Sequence, residues 1–371
     1  MKISKVNAYA LSLPLVADKL PLPTLKAITP VIVEVATEEG MVGYGEAYGF
    51  SCAPVVAKAV ENLLQPVLLG RDPTQIQKIW QDLYRVTFNY GRMGIVIAAM
   101  AGVEIALWDL AGKASGTPVY QMLGGRAHQR LQAYASPLRY GDSATAVEAC
   151  QAMKLMGFTA MKPHEIELDT VARIRAAVGE DVDIMLDVNG PWSVREAVYM
   201  GRHLEELNLY WLEEPVWPGD DYQGLAEVRA SIDIPLAAGE NEYTARGFMG
   251  LIDNQAVDIL QPSVFKIGGL WQAKQVFTLG RTFGFQVAPH CWSLGPAMAA
   301  SLQLCFSEQD CQWVETCMET PVESPLLEPL HPREGWWYLE DKPGLGIEIN
   351  KDTIAKYLLA DQEVKPSFWL D

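Results

Sequence analysis

From about residue 130 onward, short apolar runs alternate with amphipathic segments of helix length: LQAYAS, TAMKPH, IMLDVN, YWLEEP, PLAAGEN, DILQPS, QVAPHC and QWVETC. Eight strand-like runs separated by helices predict parallel βαβ units. From the second run onward, each ends in a polar or ionisable residue: Lys162, Asp187, Glu213, Glu240, Ser263, His290 and Glu315. The intervals between these positions are 25, 26, 27, 23, 27 and 25 residues. One strand, one helix and two connections need about that much chain. The polar residues therefore recur once per unit, at the C-terminal end of each strand. A closed barrel brings those ends to one mouth, whereas an open sheet spreads them along an edge, so the period favours a barrel.

The first part of the chain has a different texture. Residues 2–13 and 31–48 alternate with period two and read as strands, with Glu38-Glu39-Gly40 as a hairpin turn. Helical patterns run from about Pro54 to Leu69, Thr74 to Tyr90 and Gly94 to Ala114, and Pro54 suits a first turn that needs no backbone donor. Gly43, Gly45 and Gly49 lack the spacing of a dinucleotide loop, and no helix clearly starts within their run; turns and close packing are expected of them. The segment beyond the eighth run, with HPREGWW and the turn KPGLG, is expected to pack back on the N-terminal part.

Charge and composition then narrow the partners. The 371 residues carry 29 Lys plus Arg against 46 Asp plus Glu, a net charge of −17. No basic run offsets this, which argues against nucleic acid and polyanionic membranes. The N-terminal MKISKVNAYALSLPLV has lysines before an apolar run, but Asn7, Ser12 and Pro14 interrupt it, which fits a strand better than a signal peptide. The longest uncharged apolar stretch, Ile95 to Val103, stops at Glu104, too short to span a bilayer. Six scattered cysteines with no CxxC pair read as reduced thiols, so the expected location is cytoplasmic.

The converging residues carry the chemistry. Asp187, Glu213 and Glu240 come from three successive strands, and three carboxylates brought together repel unless a cation compensates them. All-oxygen ligands with open positions suit octahedral Mg²⁺ better than a closed zinc site. Residues two apart on a strand share a face, so Lys162 and His164 of MKPHEIE point together into the mouth, with Pro163 facing the other way. Because proline is tolerated only near a strand end, the pair is expected beside the metal and not beneath it. His290 is expected to face that pair across the metal. A cation flanked by bases fits removal of a proton next to a carboxylate. The opposite group then either returns a proton, giving epimerisation, or protonates a departing hydroxyl, giving dehydration.

These residues resemble the enolase superfamily, specifically the group around mandelate racemase and muconate lactonizing enzyme. The resemblance spans nearly the whole chain through GYGEAY at 43–48, EIALWDLAGKASGTPVYQMLGG at 104–125, LDVNG at 186–190, WLEEP at 211–215, GEN at 239–241, KIGG at 266–269, APH at 288–290 and WVE at 313–315. It implies an α/β fold: a modified TIM barrel, (β/α)7β, with an α+β capping domain. Residues 1–128 would form the cap, 129–320 the barrel, and 321–371 a segment returning to the cap. It also implies Asp187, Glu213 and Glu240 as Mg²⁺ ligands, with Asn189 supporting them. Lys162 would neutralise the substrate carboxylate, His164 would stand where the family's usual second lysine acts as base, and His290 would be the opposing histidine. Glu315 would bond the substrate carboxylate.

Two departures stand out. His164 replaces a lysine, and Ser263 replaces the aspartate that normally pairs with the histidine, so His290 is expected to be a weaker acid–base partner. Lys266 could compensate. Substrate choice would lie in loops resembling residues 16–29, with Lys19 and Lys26, and about 48–53; Trp292 is a pocket wall or plain packing. The expected activity is Mg²⁺-dependent dehydration of a sugar acid to a 2-keto-3-deoxy product. The alternatives are an epimerase, racemase or sugar-lactone cycloisomerase, and, from another class, a non-catalytic binding barrel. The expected partner is a small carboxylic acid, and the expected assembly a homo-oligomer.

Overall fold

The computed structural model describes residues 1–16 and 25–359, so Lys19 of the first expected specificity loop lies outside the described residues. The N-terminal strands are β1 (Ile3–Ala10), the short pair β2 (Leu13–Pro14) and β3 (Ala27–Ile28), β4 (Val31–Thr37) and β5 (Val42–Ala47). β1, β4 and β5 form an antiparallel sheet in that order. Gly40, at φ +83°, closes the β4–β5 hairpin by donating its N–H to the Thr37 carbonyl at 3.0 Å. Helices follow: α1 (Ala53–Ala59) runs through a π-helical segment, Val60–Leu64, into α2 (Gln65–Leu68), and then come α3 (Ile76–Thr87) and α4 (Ile95–Ser115).

Helix α4 is apolar on nearly every side because it is the core of this unit. It is long and apolar enough to cross a membrane, but 89% of its most apolar window is buried inside the protein. The glycines of β5 permit its close approach. A Cβ on Gly45 would lie 2.1 Å from the Gly102 carbonyl oxygen, and one on Gly43 would lie 2.2 Å from that of Ala106.

After the short α5 (Val119–Met122) the barrel begins. Its elements are β6 (Leu131–Ser136), α6 (Ser143–Leu155), β7 (Ala160–Met161), α7 (Leu168–Val178), β8 (Asp183–Asp187), α8 (Val194–Leu204), β9 (Leu209–Glu213) and α9 (Tyr222–Ser231). They continue with β10 (Leu236–Ala238), α10 (Thr244–Asp253), β11 (Ile259–Leu260), α11 (Leu270–Phe283), β12 (Gln286–Val287), α12 (Pro296–Ser307) and β13 (Trp313–Cys317). The strand order is β12-β11-β10-β9-β8-β7-β6-β13, all parallel. The last strand thus returns to the side of the first. Seven strand–helix units and a lone eighth strand make the (β/α)7β architecture.

The chain after β13 serves both units. Strand β14 (Trp336–Trp337) adds antiparallel to the start of β6, and beyond it lies α13 (Lys351–Lys356). Bridges Leu11–Leu358 and Pro118–Gly344 tie the same segment to the N-terminal unit. Buried acids on α4 complete the junction. Glu104 accepts from the Leu270 and Trp271 N–H groups at 2.8 and 2.9 Å, capping the start of α11, and from Trp108 Nε1 at 2.7 Å. Asp109 accepts from the N–H groups of Tyr44 and Leu345 and from Lys113 Nζ. All six cysteines are free.

Candidate active site

Inside the barrel, each strand contributes one residue to a packed layer: Tyr134, Ala160, Met185, Trp211, Ala237, Ile259, Ala288 and Trp313. Side chains alternate along a strand, so the residue two further on points into the barrel one level nearer the mouth. Stepping by two from that floor gives Ser136, Lys162, Asp187, Glu213, Gln261, His290 and Glu315. A second step gives His164, Asn189, Ser263 and Trp292. The rule decides which acid of WLEEP enters the site: Glu213 shares the face of Trp211, and Glu214 does not.

Glu240 breaks the alternation. From Ala237 the step of two lands on Gly239, whose φ of +133° is open to glycine and strained for other residues. A Cβ there would meet the Phe248 ring at 2.6 Å. The turn moves the acid on by one position and still brings it to the mouth. Single oxygens of Asp187, Glu213 and Glu240 lie within 4.8 Å of one another. Magnesium ligands sit about 2.0–2.1 Å from the ion, so oxygens on one octahedron are roughly 2.9–4.2 Å apart. At least two of the three pairs must be adjacent on the octahedron, roughly 2.9 Å apart, so a closure of up to about 2 Å brings the triad onto one ion. The all-carboxylate donor set fits a hard divalent cation as well.

Lys162 is among these acids and not beside them. Its Nζ, 1% exposed, lies 2.9 Å from Glu213 Oε1, 3.1 Å from Asp187 Oδ2 and 3.1 Å from Glu315 Oε1. Strand β7 ends at Met161, so Lys162 is the first residue past it and reaches across the floor of the mouth. Pro163, next to it, is buried. His164 lies higher. Its Nδ1 is 2.6 Å from the Pro137 carbonyl, which can only accept, so Nδ1 carries a hydrogen and Nε2 is the nitrogen turned to the mouth. That Nε2 is 3.2 Å from Asp187 Oδ2.

Across the mouth, His290 Nε2 lies 3.2 Å from Glu240 Oε2, and its Nδ1 lies 2.9 Å from Ser263 Oγ. An ionised Glu240 selects the Nε2–H tautomer, with the serine hydroxyl donating to Nδ1. Each histidine thus faces a different acid of the triad through Nε2, His164 at Asp187 and His290 at Glu240. Lys266 Nζ bonds Glu240 Oε1 at 3.0 Å and Asn241 Oδ1 at 2.7 Å, beneath the ring of Tyr48. Asn189, at φ +53°, meets Asp187 Oδ1 through its main-chain N–H at 3.0 Å.

Electrostatics divide the acids. Burial opposes ionisation of Asp187, but Lys162 and His164 outweigh it and hold its pKa far below the usual carboxylate range. Burial likewise opposes ionisation of Glu240, yet His290 and Lys266 bring its pKa down to about 2. Glu213 goes the other way: burial and the neighbouring charge of Asp187 push it well up, despite Lys162. Burial depresses His290, with Glu240 opposing that shift. Burial also works against charge on Lys162, but Glu213, Glu315 and Asp187 keep it firmly protonated. A like-charge cluster this tight is costly unless it has a cation to hold.

Four further residues belong to this neighbourhood and do not stand out in the sequence. Gln261 Nε2 donates to Glu213 Oε2 at 2.7 Å, and Trp211 Nε1 donates to the same oxygen at 2.9 Å. Arg139 crosses from the loop after β6 to the carbonyls of His164 and Val188 at 2.7 and 3.3 Å. Glu319 accepts from the Leu138 N–H and from Trp292 Nε1, each at 2.9 Å, which makes Trp292 an anchored wall. The floor-plus-two rule would have found Gln261; nothing local marks the others. In the first of the expected specificity loops, Lys26 is exposed.

Known proteins are similar to this chain over most of its length. The family model described as the mandelate racemase/muconate lactonizing enzyme N-terminal domain matches residues 10–124, and that of the enolase C-terminal domain-like family matches residues 140–353. The chain is 34% identical to a D-galactarolactone cycloisomerase of Agrobacterium fabrum over 353 residues, covering 89% of this chain and 92% of the relative. It is 31% identical to an arabinonate dehydratase of Saccharolobus solfataricus over 340 residues, covering 88% and 90% respectively. The crystal structure of the 3,6-anhydro-D-galactonate cycloisomerase from Zobellia galactanivorans superposes with a TM-score of 0.87 at 31% identity, over 97% of this chain and all (100%) of that one. The chain belongs to the mandelate racemase/muconate lactonizing enzyme group of the enolase superfamily.

Proposed function

We propose that this protein removes the proton α to the carboxylate of a small sugar acid and expels the β-hydroxyl, dehydrating an aldonate or aldarate to a 2-keto-3-deoxy acid. One observation carries the reading: Asp187, Glu213 and Glu240 converge between two histidines, His164 beside Asp187 and His290 beside Glu240. Asp187, Glu213 and Glu240 would hold the cation, magnesium by the chemistry of its ligands. When bound, it supplies positive charge against the substrate carboxylate as the α-carbon loses its proton. Lys162 adds a fixed positive charge on the same side. Glu315 holds that lysine and receives the Cys291 N–H at 2.7 Å.

His164 Nε2 takes the α-proton, and the electron pair left on carbon forms the new double bond. The C–O bond at the β-carbon breaks, and the departing oxygen takes the Nε2 proton of His290 and leaves as water. In the substrate complex that ring is the imidazolium, with Ser263 Oγ accepting from Nδ1–H, and it becomes neutral as the proton leaves. The resulting enol relaxes to the ketone. Ser263 orients the His290 ring through Nδ1, and Lys266 keeps Glu240 ionised.

The second reading, sugar-lactone cycloisomerisation, is favoured by Ser263. A neutral hydroxyl on Nδ1 holds no charge on His290 from that side, which suits a leaving group that departs without a proton. Incubation with Mg²⁺ in D₂O with aldonates, aldarates and their lactones, followed by NMR, separates the cases. A keto product with loss of water supports dehydration. Deuterium at the α-carbon, or a rearranged lactone with no loss of water, moves the assignment to the isomerase. No exchange and no product across the panel defeats both and leaves a non-catalytic barrel.

A further inference from the structure

The capping unit touches the mouth through a short stretch that begins at a buried acid. Glu46 lies near the end of β5, 3% exposed. Both its carboxylate oxygens accept from Ser293 Oγ at 2.9 Å, and Oε2 also accepts from the Ala297 N–H at 3.0 Å in the first turn of α12. Ser293 is three residues past His290, and its Oγ accepts from the Gly295 N–H at 3.1 Å. A Cβ on Gly295 would lie 2.6 Å from Glu46 Oε2, so the loop is closed tightly around the acid.

The residues after Glu46 reach the same side of the mouth. The Tyr48 N–H donates to the Phe265 carbonyl at 3.2 Å, and the Tyr48 ring meets Phe265 edge-on at 5.6 Å. Phe265 in turn stacks on His290, with centroids 6.0 Å apart and planes within 8°. Phe50 meets Trp292 edge-on at 6.3 Å. A three-residue connector from His290 to Ser293, fixed at its far end, leaves the histidine little freedom of direction.

We propose that Glu46 is a positioning residue: acting through Ser293, it fixes the 290–295 loop and so sets where His290 points over bound substrate. The inference rests on the functional reading above. Glu46 is on the other unit, more than 200 residues away in the chain, so docking of the cap and alignment of the acid group are one event. A carboxylate serves because it can accept from a hydroxyl and from a helix N-terminus together.

The test compares Glu46→Ala, Glu46→Gln and Ser293→Ala with the wild type in three measurements: magnesium binding by calorimetry, kcat and KM on the sugar acid that the wild type turns over, and the ¹⁵N shifts of His290. The expected result is loss of kcat by roughly tenfold or more in Glu46→Ala and Ser293→Ala. KM and magnesium affinity stay within about twofold, His290 resonances shift, and Glu46→Gln recovers most of the loss. The double variant Glu46→Ala/Ser293→Ala should be no worse than Glu46→Ala alone, because the two act in series. Unchanged kcat in the folded fraction, or an unmoved His290 spectrum, overturns the proposal. So does a loss shared equally by magnesium affinity, KM and kcat, which marks general damage to the fold. A wild type that neither exchanges nor converts any acid defeats the functional reading instead; the His290 spectrum then still decides whether Glu46 sets the ring.

Discussion

Gln261 Nε2 donates to Glu213 Oε2 at 2.7 Å, inside the barrel and away from the cap. With Trp211 on the same oxygen, Glu213 is left to turn Oε1 toward Lys162 and the other acids. An acid held by two neutral donors cannot rotate its ligand oxygen away. Groups that orient metal ligands are worth roughly 10–100-fold in affinity. Gln261→Leu should therefore weaken magnesium binding by about that factor. Calorimetric titration, alongside circular dichroism to confirm the fold, measures it; unchanged affinity would show that Trp211 alone suffices.

Lys162 and His164 should separate cleanly. Lys162→Met leaves three buried carboxylates without their shared cation and should cost about 3–5 kcal/mol in the metal-free protein. Magnesium should recover part of that loss, read as a larger thermal upshift than in the wild type. His164→Gln touches one acid only, so the thermal midpoint should change little while turnover disappears. Retained turnover in His164→Gln would reassign the base.

Replacing a metal-face acid gives a complementary result. Asp187→Asn should abolish turnover and the stabilisation by magnesium together, since the ligand set loses the charge it shares with Lys162 and His164. Turnover in that variant would contradict the metal assignment.

Glu104 predicts a pH effect on stability. Burial raises its pKa to about 7, against the opposing hydrogen bonds from Trp271, Trp108 and Leu270. The folded protein then holds a proton that the unfolded chain, near 4.5, releases, so this group's contribution is full below pH 4.5 and fades as pH rises through 7. Glu104→Gln removes that dependence. Relative to the wild type it should gain roughly 2–3 kcal/mol between pH 5 and pH 8, measured by denaturant unfolding at each pH. A constant difference across that range would mean that Glu104 does not change its charge there.

Two glycines of the hairpin should respond differently to alanine. At Gly45 the added carbon would collide with backbone at 2.1 Å, so Gly45→Ala should cost about 3 kcal/mol and loosen α4 against the sheet. At Gly40 nothing lies within 4 Å, and only the φ of +83° resists, so Gly40→Ala should cost about 1 kcal/mol. Thermal unfolding of the pair checks the order.

Much of this protein was legible in its sequence because strands record burial with period two and βα units repeat at a near-constant length. Those two local rules placed Lys162, Asp187, Glu213, His290 and Glu315 at strand ends and predicted a barrel. They also separated Gly43 and Gly45 from a nucleotide loop. Local rules cannot say which distant residues meet. The sequence could not show that Lys162 sits among the three acids, that Gly239 swings Glu240 one position out of register, or that Gln261 fastens Glu213. Nor could it show that Trp336–Trp337 adds antiparallel to β6, or that Glu46 and Glu104 cap helices of the other unit. Each of those follows from where eight strands converge and how two units dock, which is set by the packing of the whole chain and has no signature in any short stretch of it.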